Sequence, residues 1–430
     1  MKKCCRLFWI VAFITAILFS GYFIDKIIDN YNNRVIISLN PYSTSANSVP
    51  FPTVTICNMN RVNKIKAQVL LKSGILKLVS VFFHNIFSIT VSPTCEDMIK
   101  ACFWKNKAVN CSVIFNDVIT DVGACCVFNQ LPLNYIFRQT YLIYFLFFSI
   151  QYTTTIRLFS GSGLTLVLDA DIQNNYCSSS NSVGFKILIS NPVEMSLVKN
   201  YGIHVPTMYQ SVISLKPSVS DGKKSLQHES YMNRWCYFNQ ERFLKFFKTY
   251  TFRNCITECR VNYTLEKCNC IPYYMISNST ADMCEHHNLE CIHKVQGNMC
   301  CRSKCHCLPN CNEYSFSERM SYNRLTATRL FYMVPANKII ENKTRTEFLK
   351  SAAIVKLYYE KSVIERSTKN DIYDIIEFLS NMGGLLCIFL GFSFLSGAEI
   401  AYHLLCAIVP FIIQMIRDNA KKKEVIPFMK

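Results

Sequence analysis

Glu399 is the residue whose type and setting point most directly to chemistry. It stands 17 residues into the apolar stretch from Met382 to Ile416. A carboxylate there is expensive unless it faces water, so it marks a functional position by default. A side chain near a helix end can instead snorkel to the interface. The depth of Glu399 favours a water-filled path. Ahead of it in the same stretch stand Gly391, Phe392 and Ser393. Small residues let helices approach closely. They also let a backbone leave the helix and present carbonyls, provided these line a cavity. Ion filters are built from such carbonyls and from side-chain rings. Taken alone, the G-x-S triplet fits close helix packing equally well.

A second constellation has the residue types of a zinc site. It comprises Cys259, Cys268, Cys270, Cys284, Cys291, Cys305 and Cys307, with His286, His287, His293 and His306. Of the 23 cysteines, 19 lie between Cys57 and Cys311. That density suits an oxidising compartment, where thiols become disulfides. Disulfides are therefore expected, and no metal. No catalytic set competes with these readings. The sequence has no HExxH, no GxSxG elbow and no P-loop lysine. Gly161-Ser162-Gly163 lacks the strand–glycine–helix context that phosphate binding needs. The chain does not read as an enzyme, and no cofactor is expected.

These residues need a membrane around one group and an oxidising space around the other. Half of the 430 residues are hydrophobic and 17% are charged. The excess sits near the two ends. Leu7 to Ile24 is an 18-residue run without charge, and Met382 to Ile416 is the second run. A spanning helix needs roughly 20 apolar residues. A signal peptide is the weaker reading of the first run, because no small-residue cleavage site follows it. Lys2, Lys3 and Arg6 flank the first run, and Arg417, Lys421, Lys422 and Lys423 flank the second. The positive-inside rule then puts both ends in the cytosol and the loop between them outside. Four glycosylation sequons, at Asn110, Asn262, Asn278 and Asn342, fall in that loop. The expected division is a cytosolic N-terminus 1–6, a first span 7–28, a cysteine-rich ectodomain 29–377, a second span 378–416 and a cytosolic C-terminus 417–430. The net charge of +17 reads as a mildly basic solvated surface. Nucleic acid is not an expected partner; membrane lipid is.

Between the spans, 34–58 reads as strands broken by Pro41, Pro50 and Pro52. The stretch 62–91 reads as helix. Gly163–Asp169 and Val183–Ile189 read as buried strands, and Ala353–Tyr359 as the last strand before the membrane. Tyr141–Ile150 is apolar but, at ten residues, too short to span.

Several blocks resemble the degenerin/epithelial sodium channel/acid-sensing channel family, most closely its insect pickpocket branch. They are Phe51-Pro-Thr-Val-Thr-Ile-Cys-Asn-Met-Asn60, Gly123-Ala-Cys-Cys-Val-Phe-Asn129, Gly163-Leu-Thr-Leu-Val-Leu168 and Gly184-Phe-Lys-Ile187. To these add Cys255-x3-Cys259-x8-Cys268-x-Cys270, Cys305-x-Cys307-x3-Cys311 and the run from Met382 to Glu399. The resemblance covers Arg6 to Leu404. It implies a membrane α+β fold: two transmembrane helices flank a β-rich, disulfide-bonded ectodomain with helical finger and thumb. It implies a sodium-selective, amiloride-sensitive channel gated by ligand or mechanical load, in the plasma membrane. Such channels are homo- or heterotrimers of related subunits. Gly391, Phe392 and Ser393 would be the filter for permeant Na+, with Glu399 below it. Ser380 would be the gate position at which bulky side chains hold the channel open.

The resemblance also implies seven disulfides. Cys57–Cys125 and Cys102–Cys111 would lie near palm and finger. Cys236–Cys311, Cys255–Cys307, Cys259–Cys305, Cys268–Cys291 and Cys270–Cys284 would staple the thumb. Cys95, Cys126, Cys177, Cys300 and Cys301 are left over, an odd number. Three features depart from the family pattern. No His-Gly pair precedes the first apolar run, Cys387 stands where glycine is usual, and Tyr141–Ile150 has no counterpart. An incomplete gene product and a subunit dependent on complete partners both fit the first departure. A non-conducting, channel-like receptor subunit is the alternative function.

Overall fold

The structure, a computed structural model, describes residues 2–32, 37–72, 91–138, 163–178, 182–228, 230–275, 283–297, 305–334, 343–371, 375–391, 393, 395–396 and 398–410. The chain divides into two compact units, Leu39–Asn370 and the two ends, Met1–Ser38 with Asp371–Lys430.

The larger unit is built on strands. In chain order these are β1 (Ile37–Ser45), β2 (Thr53–Asn58), β3 (Asn60–Asn63), β4 (Ile99–Trp104), β5 (Lys107–Val109), β6 (Phe115–Thr120), β7 (Gly123–Phe128) and β8 (Leu164–Asp169). They continue as β9 (Asn175–Ser178), β10 (Gly184–Ser190), β11 (Ile203–Pro206), β12 (Tyr209–Gly222), β13 (Glu313–Arg324), β14 (Ala352–Tyr359) and β15 (Val363–Asp371). One sheet runs β1-β15-β12-β14-β8-β4-β5, with β13 also on β12; a second runs β11-β10-β2-β7-β6; β3 and β9 form a separate pair.

β12 organises the first sheet. Along one edge it pairs antiparallel with β13, from Tyr209 opposite Arg324 to Ser220 opposite Glu313. Along the other it runs parallel first to β14 and then to β15. Ala353–Tyr359 is therefore not the last strand, as its sequence suggests. β15 follows it and is mostly polar, so apolar alternation did not reveal it. β14 and β8 pair in the sheet interior and are buried on both faces, which explains their nearly continuous apolar runs. Leu164, Leu166, Leu168, Val355 and Leu357 join Val54, Ile56, Phe128, Phe185 and Ile187 of the second sheet in one core. Phe51 sits there with ring centroids 5.3 Å from Trp104 and 5.7 Å from Tyr359. On the opposite face, Val167 and Ile354 pack with Phe348 and Leu330. Gly163 opens β8 because a Cβ there would lie 1.7 Å from the Leu357 carbonyl oxygen.

Six helices matter below: α1 (Lys2–Asn32), α2 (Lys64–Lys72), α3 (Phe252–Cys268), α4 (Leu289–Gly297), α5 (Arg345–Ser351) and α6 (Ile375–Leu390). The helix expected over 62–91 is realised as α2, behind β3; residues 73–90 lie outside the described residues, as does Tyr141–Ile150. α1 and α6 belong to the smaller unit and pack on each other, with Phe23 stacked on Phe389 at 5.8 Å. Among the described residues no helix is long and apolar enough to cross a membrane. The expected first span includes Leu7, Phe8, Trp9 and Ala12, whose side chains lie outside the described residues. α6 has 16 residues, about 24 Å at the helical rise, short of a hydrocarbon layer of roughly 30 Å.

Candidate functional site

α6 is halted by two local devices. Gly391 has φ +63°, the left-handed conformation that costs glycine little. Its N–H donates to the Cys387 carbonyl at 2.9 Å. This is the αL form of C-cap, in which the residue after the helix closes the last turn. A Cβ at Gly391 would meet nothing within 4 Å, so its backbone angle and not crowding demands glycine. Two residues on, Ser393 starts a new helix. Its Oγ accepts the Ser396 N–H at 3.3 Å, and its own N–H donates to Ser396 Oγ at 3.4 Å. That reciprocal pair is a capping box with serine in the place of glutamate. Residues 395–396 and 398–410 are helical. Phe392 lies outside the described residues.

The triplet is thus a helix break, and a break changes what the backbone offers. The last carbonyls of a helix have no intrahelical donor. The carbonyls after Cys387 are the ones to which this rule applies, and Ser393, two residues past Gly391, is exposed. Glu399 is exposed on the following helix. Ser380 is exposed and lies inside α6, five residues after its start at Ile375. Serine often caps a helix N-terminus, but Ser380 stands too deep in α6 for that role. Ser380, Gly384, Cys387 and Gly391 are spaced four, three and four apart, which puts them on one helix face. Phe389, which stacks on α1, falls on the other.

The larger unit holds the cysteines. Cys57 bonds to Cys125, Cys102 to Cys111, Cys236 to Cys311, Cys255 to Cys307, Cys259 to Cys305, Cys268 to Cys291 and Cys270 to Cys284. Cys255 and Cys259 are four apart on α3, so both present to one side. Cys307 and Cys305 meet them with Cα–Cα separations of 5.9 Å. Cys268 ends α3 and ties it to α4 through Cys291. An eighth bridge joins Cys95 to Cys126, two cysteines that the sequence left without partners. Of that leftover set, Cys300 and Cys301 lie outside the described residues. Cys95, Asp117 and Cys126 bring possible ligand atoms within 4.8 Å of one another. The two sulfurs are bonded to each other, so neither is the thiolate a metal needs. Asn110 and Asn262 are exposed, whereas Asn278 and Asn342 lie outside the described residues.

Buried polar groups lock α3 in place. Glu258 accepts the N–H groups of Lys245 and Phe246 at 2.8 and 2.9 Å. Asn254 Nδ2 donates to the carbonyls of Val193 and Thr249, and its Oδ1 accepts the Met195 N–H. Arg253 reaches Glu194 at 3.5 Å. Burial holds the Glu194 carboxyl above its ordinary range despite that guanidinium. Asp121, half-buried and accepting the Val198 and Lys199 N–H groups, has its carboxyl pushed up by desolvation as well.

The family model described as amiloride-sensitive sodium channel matches residues 1–85 and 75–403. The chain belongs to the amiloride-sensitive sodium channel family. This is a family of membrane cation channels, not of enzymes. Among curated relatives, Pickpocket protein 28 of Drosophila melanogaster is 28% identical over 93% of this chain and 74% of its own length. Pickpocket protein 11 of the same fly is 26% identical over 82% of this chain and 62% of its own length. Acid-sensing ion channel 1A of Danio rerio is 22% identical over 94% of this chain and 82% of its own. A solved proton-activated chloride channel covers 94% of this chain with a TM-score of 0.32 and 6% identity, too loose a match to speak to the fold.

For a channel-family chain, sequence reasoning overlooked three residues. Ser396 caps back on Ser393, and the only signal was a serine three residues after another. Asp117 accepts the Cys95 N–H at 3.2 Å beside the eighth bridge. Glu258 reads as an ordinary helical glutamate, because nothing in its neighbours announces burial.

Proposed function

We propose that this chain is a subunit of a sodium-selective, amiloride-sensitive cation channel, gated by ligand or mechanical load and assembled as a homo- or heterotrimer. On this reading residues 7–28 and 378–416 cross the plasma membrane, 29–377 face outward, and both ends are cytosolic. Gly391, Phe392 and Ser393 form the filter, and Asn110, Asn262, Asn278 and Asn342 carry glycans.

The observation that carries the proposal is the helix break. A dehydrating cation needs oxygen ligands, and in an apolar segment few are free. The αL cap at Gly391 releases carbonyls, and the N-cap at Ser393 adds a hydroxyl at the same level. Three copies around an axis would make rings of such oxygens, the element from which filters are built. The face bearing Ser380, Gly384, Cys387 and Gly391 is small enough to meet its copies closely. Glu399 lies six residues past Ser393, roughly 9 Å along a helix. Its charge would raise the cation concentration at the inner side of the break.

Ser393→Cys tests this directly. In trimers containing the chain, pore-applied thiol reagents should modify the cysteine and reduce amiloride-blockable sodium current. An unreactive cysteine while current flows would overturn the pore assignment. Surface expression without current, alone or with related subunits, would favour the non-conducting subunit instead.

A further inference from the structure

Ser20 is 2% exposed, while Ile17, Leu18 and Phe19 beside it are 45%, 68% and 52% exposed. Its hydroxyl has no hydrogen-bond partner among the described residues. A serine or threonine in a helix can turn its hydroxyl back to the carbonyl four residues earlier. Thr15 does so, donating to Val11 at 2.6 Å. Ser20 does not.

The direction in which Ser20 faces follows from its spacing. Ser20 and Phe23 are three residues apart and share a helix face. Phe23 stacks on Phe389 of α6, which puts Ser20 on the side of α1 that meets α6. The next step rests on the two-span reading above, in which α1 and α6 run in opposite directions. Moving three residues back from Phe23 covers about 4.5 Å. The same distance beyond Phe389 ends at the Gly391–Ser393 break. There the carbonyls of the last α6 turn lack intrahelical donors. A buried hydroxyl without a partner among the described residues and the end of α6, where a helix leaves carbonyls to other donors, thus fall at one level of the same helix pair.

We propose that Ser20 is a positioning residue of the filter: its hydroxyl donates to a water that bridges to the carbonyls released at the end of α6. Buried water is held where it finds two to four polar partners, and these groups supply them. The bridge fixes the carbonyl dipoles from behind while their remaining lone pairs face the ion. A filter so braced resists relaxing around a larger ion and discriminates against potassium. Ser20 touches no permeant ion itself. The competing role, a small residue that merely lets the helices approach, needs no hydroxyl.

Ser20→Ala and Ser20→Thr separate the two roles, read as reversal potentials in current-carrying trimers. The alanine keeps the small volume and loses the hydroxyl; the threonine keeps the hydroxyl. Ser20→Ala should lower the sodium-to-potassium permeability ratio about three- to tenfold, the size of one hydrogen bond, with Ser20→Thr close to wild type. An unchanged ratio in Ser20→Ala, or equal loss in both variants, overturns the proposal. Should Ser20→Ala fail to reach the surface, Ser20→Cys takes its place, since a thiol is a weak donor. A lowered ratio for cysteine with a normal one for threonine supports the bridge, and equal ratios overturn it. The Ser393→Cys labelling keeps the levels apart. Labelled Ser393→Cys with a silent Ser20→Ala removes only the role of Ser20, whereas unlabelled Ser393→Cys removes the filter reading beneath it.

Discussion

α3 and α6 are both helices of about the same length, and they are held by opposite means. α3 carries seven buried residues, of which Asn254, Thr257, Glu258 and Thr264 are polar. Each of these side chains hydrogen-bonds to backbone, and three disulfides run from the helix itself. α6 has no disulfide, and most of its described side chains, Leu379 and Ile388 among them, are exposed. α3 is specified by bonds within its own unit. α6 presents an apolar surface and, on the opposite side, a face of small residues; on the proposed reading the first meets lipid and the second meets its own copies. A cross-linked helix resists change, whereas the gating proposed for α6 needs two arrangements of similar free energy.

Variants can break this comparison, beginning with the largest expected effect. Replacing Cys255 and Cys307 together by serine opens a loop of 52 residues. The loss should be about 4 kcal/mol on chain-entropy grounds. Thermal unfolding of the purified protein should show a lower midpoint, and an unchanged one would mean that α3 is held by packing alone. Glu258→Ala comes next. It strands the N–H groups of Lys245 and the buried Phe246 and should cost about 3 kcal/mol, again read by unfolding, while amiloride block of any surviving surface current stays normal.

The same scale applied to α6 should alter gating, not folding. Ser380→Val or Ser380→Phe enlarges a side chain on the face proposed to meet its copies. Overpacking of about 1–3 kcal/mol would shift a closed–open equilibrium roughly five- to 150-fold. The expected result is standing, amiloride-blockable sodium current with normal surface expression. Normal expression without that current, with partner subunits present, would remove Ser380 from the gate. Glu399→Gln keeps the shape and removes the charge. Single-channel conductance should fall by up to about tenfold in dilute salt and by less as ionic strength rises and screening shortens the field.

The smallest effect concerns pH and the α3 side of the comparison. Burial raises the Glu194 carboxyl in the folded chain. The folded state therefore keeps a proton that the unfolded state releases just above the ordinary glutamate range. Its contribution is favourable at the acid end of that window and is lost as pH rises through the folded value. Thermal midpoints of wild type should gain on those of Glu194→Gln as pH falls toward the ordinary glutamate value. Parallel curves would show that Glu194 does not titrate differently on folding.

Much of this molecule was legible before any coordinates. The buried strands β8, β10 and β14 were visible as apolar runs, because strands covered on both faces need no alternation. The helix break was only half visible: Gly391 and Ser393 allowed a departure from helix but fitted close packing equally well, and the left-handed φ at Gly391 decided between them. β15 was hidden, because its residues are polar and its place is set by β12. The Cys95–Cys126 bridge was hidden for a related reason. Cysteine spacing says that a chain is cross-linked, but partners are chosen by which strands come to lie side by side.

What the sequence determined by itself is therefore local or compositional: the apolar runs at the two ends, the oxidised cysteine-rich middle, the residues able to break a helix, and the family they belong to. The tertiary structure decided the rest. It placed Ser380 in the interior of α6, sank Glu258 among backbone N–H groups, and buried Ser20 with its hydroxyl unmet among the described residues. A residue's type limits which bonds it can make. Which of those bonds it does make depends on neighbours distant in the chain, and only packing brings them within a few ångströms.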